Sequence, residues 1–600
     1  MLAPAPAASA APQQAHAIQT PEVVKDAEES LSRGNADEAI QRLTSYLRGH
    51  PENVPARLAL GEAYAYAGQA EMAEEAFQAV LRVSPDNYVA LADLGEIYDK
   101  TGHPENAEPM LSRAVKASNG APAVRREWAT VLSRLHRYKE AQQALTGVSP
   151  PEGAEEQVAF FRLKGSIALG LGDAASAASD MERALALKPA DDSLNLATAV
   201  AEMQGRNWAR AESLAQPVFE RTRDPRVGVV LLEAELSKGT DFQQTLDALR
   251  ATPLPAGDEM ALRQRLAEVL TSHGRFLEST ADFERIVELQ PNRADLIFDL
   301  ALAQFNAGRL DDALKNAGEC KTLGDTADVE DLLGDIEEAR GDNLAAVRDY
   351  QAAVTLAPNE EKYRLSLALE LIRHKTFEPA KVVLKQALEA IPNSWRLQVA
   401  QGMVEFFAGS DEEASRILVH AAGLAPDPGV VVGYLGGMEI DERSSPDAAA
   451  LRYLCQYSGQ HARDEKGQFY CGALMLRRDY TNDDKSNLAE ILRHLRAAAA
   501  LDSHDAGPHC ELGRAYKWTQ EWQQARQEME SCVRMDPGST EAHYRLAQIY
   551  EHFGQQDQAQ REMKLYNDAS KQQADENARR EKALRTFLYT IEKPPAGQPN

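Results

Sequence analysis

The chain has 600 residues, a formal net charge of −27 from 65 Lys plus Arg against 92 Asp plus Glu, and only 6% aromatic residues. That length exceeds what one compact core supports, so several domains or a repeating array are expected. A surface this acidic offers no basic stripe for nucleic-acid phosphate, is repelled by anionic lipid and slightly favours basic partners.

Residues 1–20 are rich in Ala, Pro and Gln and carry no Lys, Arg, Asp or Glu. They fit the small-residue end of an export signal, with Ala15-His16-Ala17 as the cleavage site, or equally a disordered Ala/Pro arm. A repeating unit starts at residue 21 and is clearest between 54 and 119. There Leu60-Gly61-Glu62-Ala63-Tyr64, Gly68, Ala73, Phe77 and Pro85 are followed by Leu94-Gly95-Glu96-Ile97-Tyr98, Gly102, Ala107 and Leu111. Gly61 to Gly95 and Ala73 to Ala107 are both steps of 34 residues.

Carried along the chain, the frame puts a small residue in each first helix at Ala27, Gly61, Gly95, Ala129, Gly165, Ala199, Ala267, Ala301, Gly334, Ala368, Gly402, Gly436, Gly472, Gly513 and Ala547. Glu233 breaks the series. A second series, one per second helix, runs Ala39, Ala73, Ala107, Ala141, Ala177, Ala211, Thr245, Ser279, Ala313, Ala346, Ala380, Ala414, Ala448, Ile491, Ala525 and Ala559. Two antiparallel helices joined by a short turn approach closely only where the crossing carries Gly or Ala, and bulkier residues such as Phe77 and Val80 then fill the grooves beside it. Gly34, Gly68, Gly102, Gly172, Gly205, Gly274, Gly308, Gly341, Gly409 and Gly554 follow first helices as expected left-handed caps. Prolines such as Pro51, Pro85 and Pro189 stop second helices, and Asp or Asn after them, as in Pro85-Asp86-Asn87, are expected N-caps.

The pattern resembles the tetratricopeptide repeat, a helix–turn–helix unit of this period, over about residues 21–567. The resemblance implies an all-α solenoid of about sixteen repeats in a right-handed superhelix of roughly two turns. It also implies a concave groove, lined mainly by first helices, that takes a peptide or helix of a partner protein. The expected organisation is an arm at 1–20, a regular array at 21–426, and disturbed repeats at 427–505. Two further repeats at 506–567, a capping helix at 568–591 and a disordered tail at 592–600 complete it. The disturbed stretch contains Gly436-Gly437 and the polar insert Thr481-Asn482-Asp483-Asp484-Lys485-Ser486-Asn487. Leu584, Phe587, Leu588 and Ile591 are expected to cover the last hydrophobic edge of the array.

Helix phase selects groove candidates. Asp328, Asp331, Asp335 and Glu338 form an acidic ladder suited to Lys or Arg of a partner. Phe298, Phe305, Phe406 and Phe407 form an apolar group. Arg514, Lys517 and Trp518, with Tyr544 and Gln548, are placed to grip a peptide carboxylate or aromatic. For each, an ordinary solvated face or packed core is the plainer alternative. Some members of the family hold a C-terminal carboxylate with a Lys/Asn clamp; Leu58, Glu62, Ala92 and Glu96 at the comparable places depart from it.

Nothing in the sequence points to catalysis, metal or cofactor. G-x-x-x-x-G-K-[ST], H-E-x-x-H and G-x-S-x-G are missing. Gly170-Leu171-Gly172-Asp173-Ala174-Ala175 matches G-x-G-x-x-A only between two helices of one unit, where a turn is expected. His543 and His552 lack the four-residue spacing of helical metal ligands. No apolar run reaches the roughly 18 residues of a membrane span. The five cysteines, 320, 455, 471, 510 and 532, contain no C-x-x-C. They read either as buried small residues or as one or two disulfides, Cys455–Cys471 or Cys510–Cys532, in an oxidising compartment. The expected function is a non-catalytic protein-interaction scaffold, exported or periplasmic in preference to cytoplasmic. The alternatives are an accessory substrate-binding arm for a glycosyltransferase, or a part of envelope polysaccharide or secretion machinery.

Overall fold

The computed structural model describes residues 21–441, 446–572, 584, 587–588 and 591. The secondary structure of the described residues is helical, in two compact units, Met1–His273 and Gly274–Asn600. The first unit contains α1 Glu22–Ser32, α2 Ala36–Gly49, α3 Val54–Tyr66, α4 Ala70–Val83, α5 Tyr88–Lys100, α6 Pro104–Ala117, α7 Pro122–Arg134, α8 Tyr138–Leu145, α9 Ala154–Gly170, α10 Ala174–Leu187, α11 Asp192–Gln204, α12 Trp208–Thr222, α13 Pro225–Lys238, α14 Gln243–Arg250 and α15 Ala256–Ser272. The second contains α16 Phe276–Leu289, α17 Ala294–Asn306, α18 Leu310–Leu323, α19 Ala327–Arg340, α20 Asn343–Leu356, α21 Glu361–Arg373, α22 Phe377–Ala390, α23 Trp395–Phe407, α24 Asp411–Leu424, α25 Pro428–Asp441, α26 Ala448–Gln460, α27 Glu465–Thr481, α28 Leu488–Leu501, α29 Ala506–Trp518, α30 Trp522–Met535, α31 Thr540–His552 and α32 Gln556–Gln572. Odd-numbered helices are the first and even-numbered the second of each repeat, so the chain is an α-solenoid of helix pairs.

The small residues of the first helices sit where close packing requires them. A Cβ on Gly61 would lie 2.6 Å from the Phe77 ring, and one on Gly402 would lie 2.8 Å from Leu418. In both pairs the bulky residue follows sixteen positions later, on the second helix of the same repeat. Within each unit, consecutive first helices also touch one another. They make a continuous inner layer, while the second helices pack outside it.

The chain corrects the expected frame in four places. In α13 the close approach is made by Gly228, whose Cβ would lie 2.5 Å from Phe219 and 2.6 Å from Leu249, while Glu233 turns outward and pairs with Arg265 at 3.4 Å. Ala448, at the first turn of α26, is exposed, and Ala450 takes the buried place. Gly205 keeps an ordinary φ of −74°, and the left-handed residue of that turn is Arg206 at φ 58°. Gly436 is crowded by Tyr470 of the next first helix, not by a residue of its own repeat.

Local capping follows the sequence. Asn53 and Asn87 accept from the amides of Ala56 and Ala90 at 2.9 and 3.0 Å, which satisfies helix donors that would otherwise lack a partner. Gly172, at φ 75°, makes the α9–α10 turn, so the G-x-G-x-x-A match is a helix connection. His543 sits between Glu562 and the Pro537 carbonyl, and His552 stacks on Trp522, so both histidines have structural partners. The described residues contain no group of His, Cys, Asp and Glu that could hold a metal ion, and no helix long and apolar enough to cross a membrane.

Both cysteine pairs are bonded. Cys455–Cys471 ties α26 to α27 and Cys510–Cys532 ties α29 to α30, while Cys320 stays free and buried.

The C-terminal segment departs from expectation. No break occurs at 568, because α32 runs on to Gln572 as the second helix of its repeat. Residues 573–583 and the tail at 592–600 lie outside the described residues, as do 1–20. Leu584, Phe587 and Ile591 are almost wholly buried, at 6%, 0% and 3% exposure. Phe587 lies 6.2 Å from Phe407 of α23 and 5.7 Å from Tyr434 of α25, ring centre to ring centre.

Candidate functional site

The inner layer of unit 2 carries both groups of charged candidates. The acidic ladder lies along α19, where Asp328, Asp331, Asp335 and Glu338 follow one another at helical spacing. Their positive partners come from α21, the next first helix. Lys362 Nζ reaches Asp328 at 3.0 Å and Asp331 at 3.1 Å, and Arg373 reaches Glu338 at 3.0 Å. Asp335 instead accepts from the Tyr350 hydroxyl at 2.8 Å. Burial, with Asp331 close by, pushes the Asp335 carboxyl up to about 7. The ladder is thus matched largely by its own chain, and Asp331 Oδ1 is left buried without a hydrogen-bond partner. These residues border an open cavity of about 400 Å³ that also includes Phe305 and Arg396.

The sequence contained a signal for this matching. Lys362 follows Asp328 by 34 residues, one repeat period, so it occupies the same place on the neighbouring first helix. A charge one period away is a natural partner, and helix phase within one repeat does not reveal it.

The expected apolar group divides. Phe406 and Phe407 are buried, at 3% and 8% exposure, and Phe407 is covered by Phe587. Phe298 and Phe305 are only partly buried, against the core around α17 and α19.

The second charged group spans α27, α29 and α31. The Arg514 guanidinium lies over the Tyr480 ring at 5.0 Å and 3.6 Å from Glu511, and its Nε is buried without a hydrogen-bond partner. Lys517 donates to Gln548 on α31. Arg545 pairs with Glu541 on the same helix. Arg477 of α27 donates to the carbonyls of Glu439 and Ile440, at 2.8 and 3.0 Å, and its charge reaches both Glu511 and Glu541. Burial pushes the Glu511 carboxyl up against the pull of Arg514. Glu541 is held low: burial opposes its charge, but Arg545 and Arg514 more than offset that. Burial, helped by Arg545, lowers the Lys517 pKa. Arg477, Arg514, Lys517 and Arg545 thus cluster about the carboxylates of Glu511 and Glu541, and Arg477 also acts on Glu439.

Trp518 has a different role from the one expected. Its indole N–H donates to Asp483 at 3.0 Å, its ring lies 5.6 Å from Tyr480, and Lys485 approaches its face at 5.5 Å. It fastens the polar insert to the next repeat. Tyr544 is 42% exposed beside Tyr566, with ring centres 5.3 Å apart. Arg514, Lys517 and Trp518 of α29 and Tyr544 and Gln548 of α31 thus share two neighbouring first helices, with Trp518 also packed on the insert. Arg477 was missed from sequence although it lies five residues after Gly472, as Trp518 does after Gly513, and Arg545 was missed because it lies one residue beyond Tyr544.

Models described as tetratricopeptide repeat match residues 30–82, 65–126 and 520–580, and a second such model matches 162–216 and 265–319. No curated protein matches the sequence. Similar solved structures include the APC/C hetero-tetramer Cut9–Hcn1, at 15% identity over 92% of this chain and 98% of that one, with a TM-score of 0.26. Naa15/Naa10 bound to HypK-THB is 12% identical over 95% of this chain and 99% of that one, with a TM-score of 0.31. The pilF protein of Pseudomonas aeruginosa is 21% identical over 34% of this chain and 90% of that one, with a TM-score of 0.29.

Proposed function

This chain is a tetratricopeptide-repeat protein, in general terms a protein-interaction scaffold, and we propose that it binds partner proteins on the inner layer of first helices without catalysing a reaction. The partner segment presents a carboxylate, an acidic side chain or a chain terminus, to the patch formed by Arg477, Arg514, Lys517 and Arg545. The observation that carries this reading is the Arg514 guanidinium there, whose Nε is buried without a hydrogen-bond partner. A guanidinium already desolvated and oriented over an aromatic ring gains a charge-assisted hydrogen bond at little further cost in order. The two disulfides support an exported setting, because such bonds persist in oxidising compartments.

The test is affinity capture from native extract with the wild-type chain and an Arg514→Ala variant of unchanged helicity. The reading expects a captured protein whose yield falls at least tenfold with the variant and falls with added salt. Undiminished capture by Arg514→Ala removes this patch from the binding surface. A second reading, a polysaccharide ligand, is favoured only by the exposed Tyr544–Tyr566 pair. It predicts glycan retention that is insensitive to salt.

A further inference from the structure

The inner layer of unit 2 is already occupied at one place, by the protein itself. Leu584, Phe587 and Ile591 join the core that runs from α21 to α32, with Leu588 packed against it. Phe587 sits between Phe407, at the C-terminal end of α23, and Tyr434 in α25. Arg396, near the N-terminal end of α23, donates to the Ile591 carbonyl at 3.0 Å. Phe587 thus meets the C-terminal end of α23 by ring packing, and Ile591 meets its N-terminal end by a hydrogen bond to its carbonyl.

The stripe has the 584, 587, 588, 591 spacing of an amphipathic helix, and Arg585, Thr586 and Thr590 interrupt it in the sequence. An apolar stripe of this period laid into an apolar groove is the helix-in-groove mode of peptide recognition. The receptor surface belongs to repeats twelve and thirteen, far along the chain from the last repeat that precedes the segment.

We propose that residues 584–591 are an internal ligand of the α23–α25 surface, and that a partner protein docks there by an amphipathic helix of the same apolar spacing that displaces it. This rests on the reading of the first helices as a recognition surface. It differs from the carboxylate patch in place and chemistry, since Phe407 and Tyr434 select apolar side chains. Tethering gives the segment an effective concentration of about 1 mM. If the free segment binds with a Kd of about 10–100 μM, the tethered one occupies its site about 90–99% of the time and weakens a competitor by about 10–100-fold.

The experiment uses the full chain and a fluorescent peptide of the sequence Glu581 to Glu592. Fluorescence anisotropy compares wild type with Phe587→Glu and, independently, Ile591→Glu. Both variants are expected to bind the peptide about 10–100-fold more tightly than wild type, and adding Phe407→Ala to Phe587→Glu is expected to abolish the gain. Equal binding by wild type and variants overturns the proposal, as does absence of binding by both variants. If peptide binding fails while Arg514-dependent capture persists, the internal ligand is wrong and the scaffold reading stands. Loss of both removes the scaffold reading.

Discussion

At Gly61 the distance from a built Cβ to the Phe77 ring is 2.6 Å, so even Ala demands that the two helices separate. Gly61→Ala is expected to destabilise unit 1 by about 1–3 kcal/mol, the usual range for overpacking. Gly318, within α18, has no atom within 4 Å of the same built position, and Gly318→Ala is expected to stabilise by about 0.5–1 kcal/mol. Denaturant titration of the two variants checks both signs. Asp335 offers a pH test. Its folded pKa of about 7 lies above the usual carboxylate value, so the folded state binds a proton that the unfolded state has released between about pH 4 and 7. Stability carried by the protonated form is complete below that window and lost as pH rises through it. Asp335→Asn is expected to flatten the fall in stability between pH 5 and pH 8, by on the order of 1–2 kcal/mol after allowance for its partial exposure. At this scale the sequence was informative wherever packing alone decided. The Gly and Ala series emerged because a bulky residue cannot occupy a crossing. Glu233 misled because a shift of the α13–α14 crossing to Gly228 leaves no trace in the 34-residue register.

Helix pairs were legible as elements because period, turn and stop agree in nearly every unit. Ion pairs between neighbouring helices were not, since helix phase within one repeat is blind to the next. Lys362 neutralising Asp328 and Trp518 fastening Asp483 both join residues about one repeat apart. The disulfides are also links between elements, and their pairing followed from sequence proximity in adjacent helices. A thiol assay on unfolded, unreduced protein is expected to find one free thiol per chain, from Cys320; five would contradict both bonds. The loops closed are short, with separations of 16 and 22 residues. Replacing either pair by Ala is expected to cost about 3 kcal/mol in the chain-entropy account. Trp518→Ala is expected to speed proteolysis within residues 482–487, because the insert loses its hydrogen bond and its aromatic cover; an unchanged cleavage rate would assign the loop another anchor.

For the whole molecule, one property escaped the sequence: where the last apolar stripe goes. The residues after α32 have the pattern of a cap, and a solenoid needs one, so a local rule predicted the nearest edge. The competing partner is Phe407 with Tyr434, 180 and 153 residues earlier in the chain than Phe587, and pattern within a repeat cannot rank that surface against the terminal edge. The same inner layer bears the cationic patch, so both proposed sites lie on first helices. The most direct measurement of that claim is site-specific photo-crosslinking in native extract, with the reactive side chain placed at Tyr544 on α31 or at exposed Gln523 on second helix α30. Partner adducts from position 544 and none above background from position 523 are the predicted result. Adducts from 523 alone, or equal yields from both, would contradict recognition by the first helices.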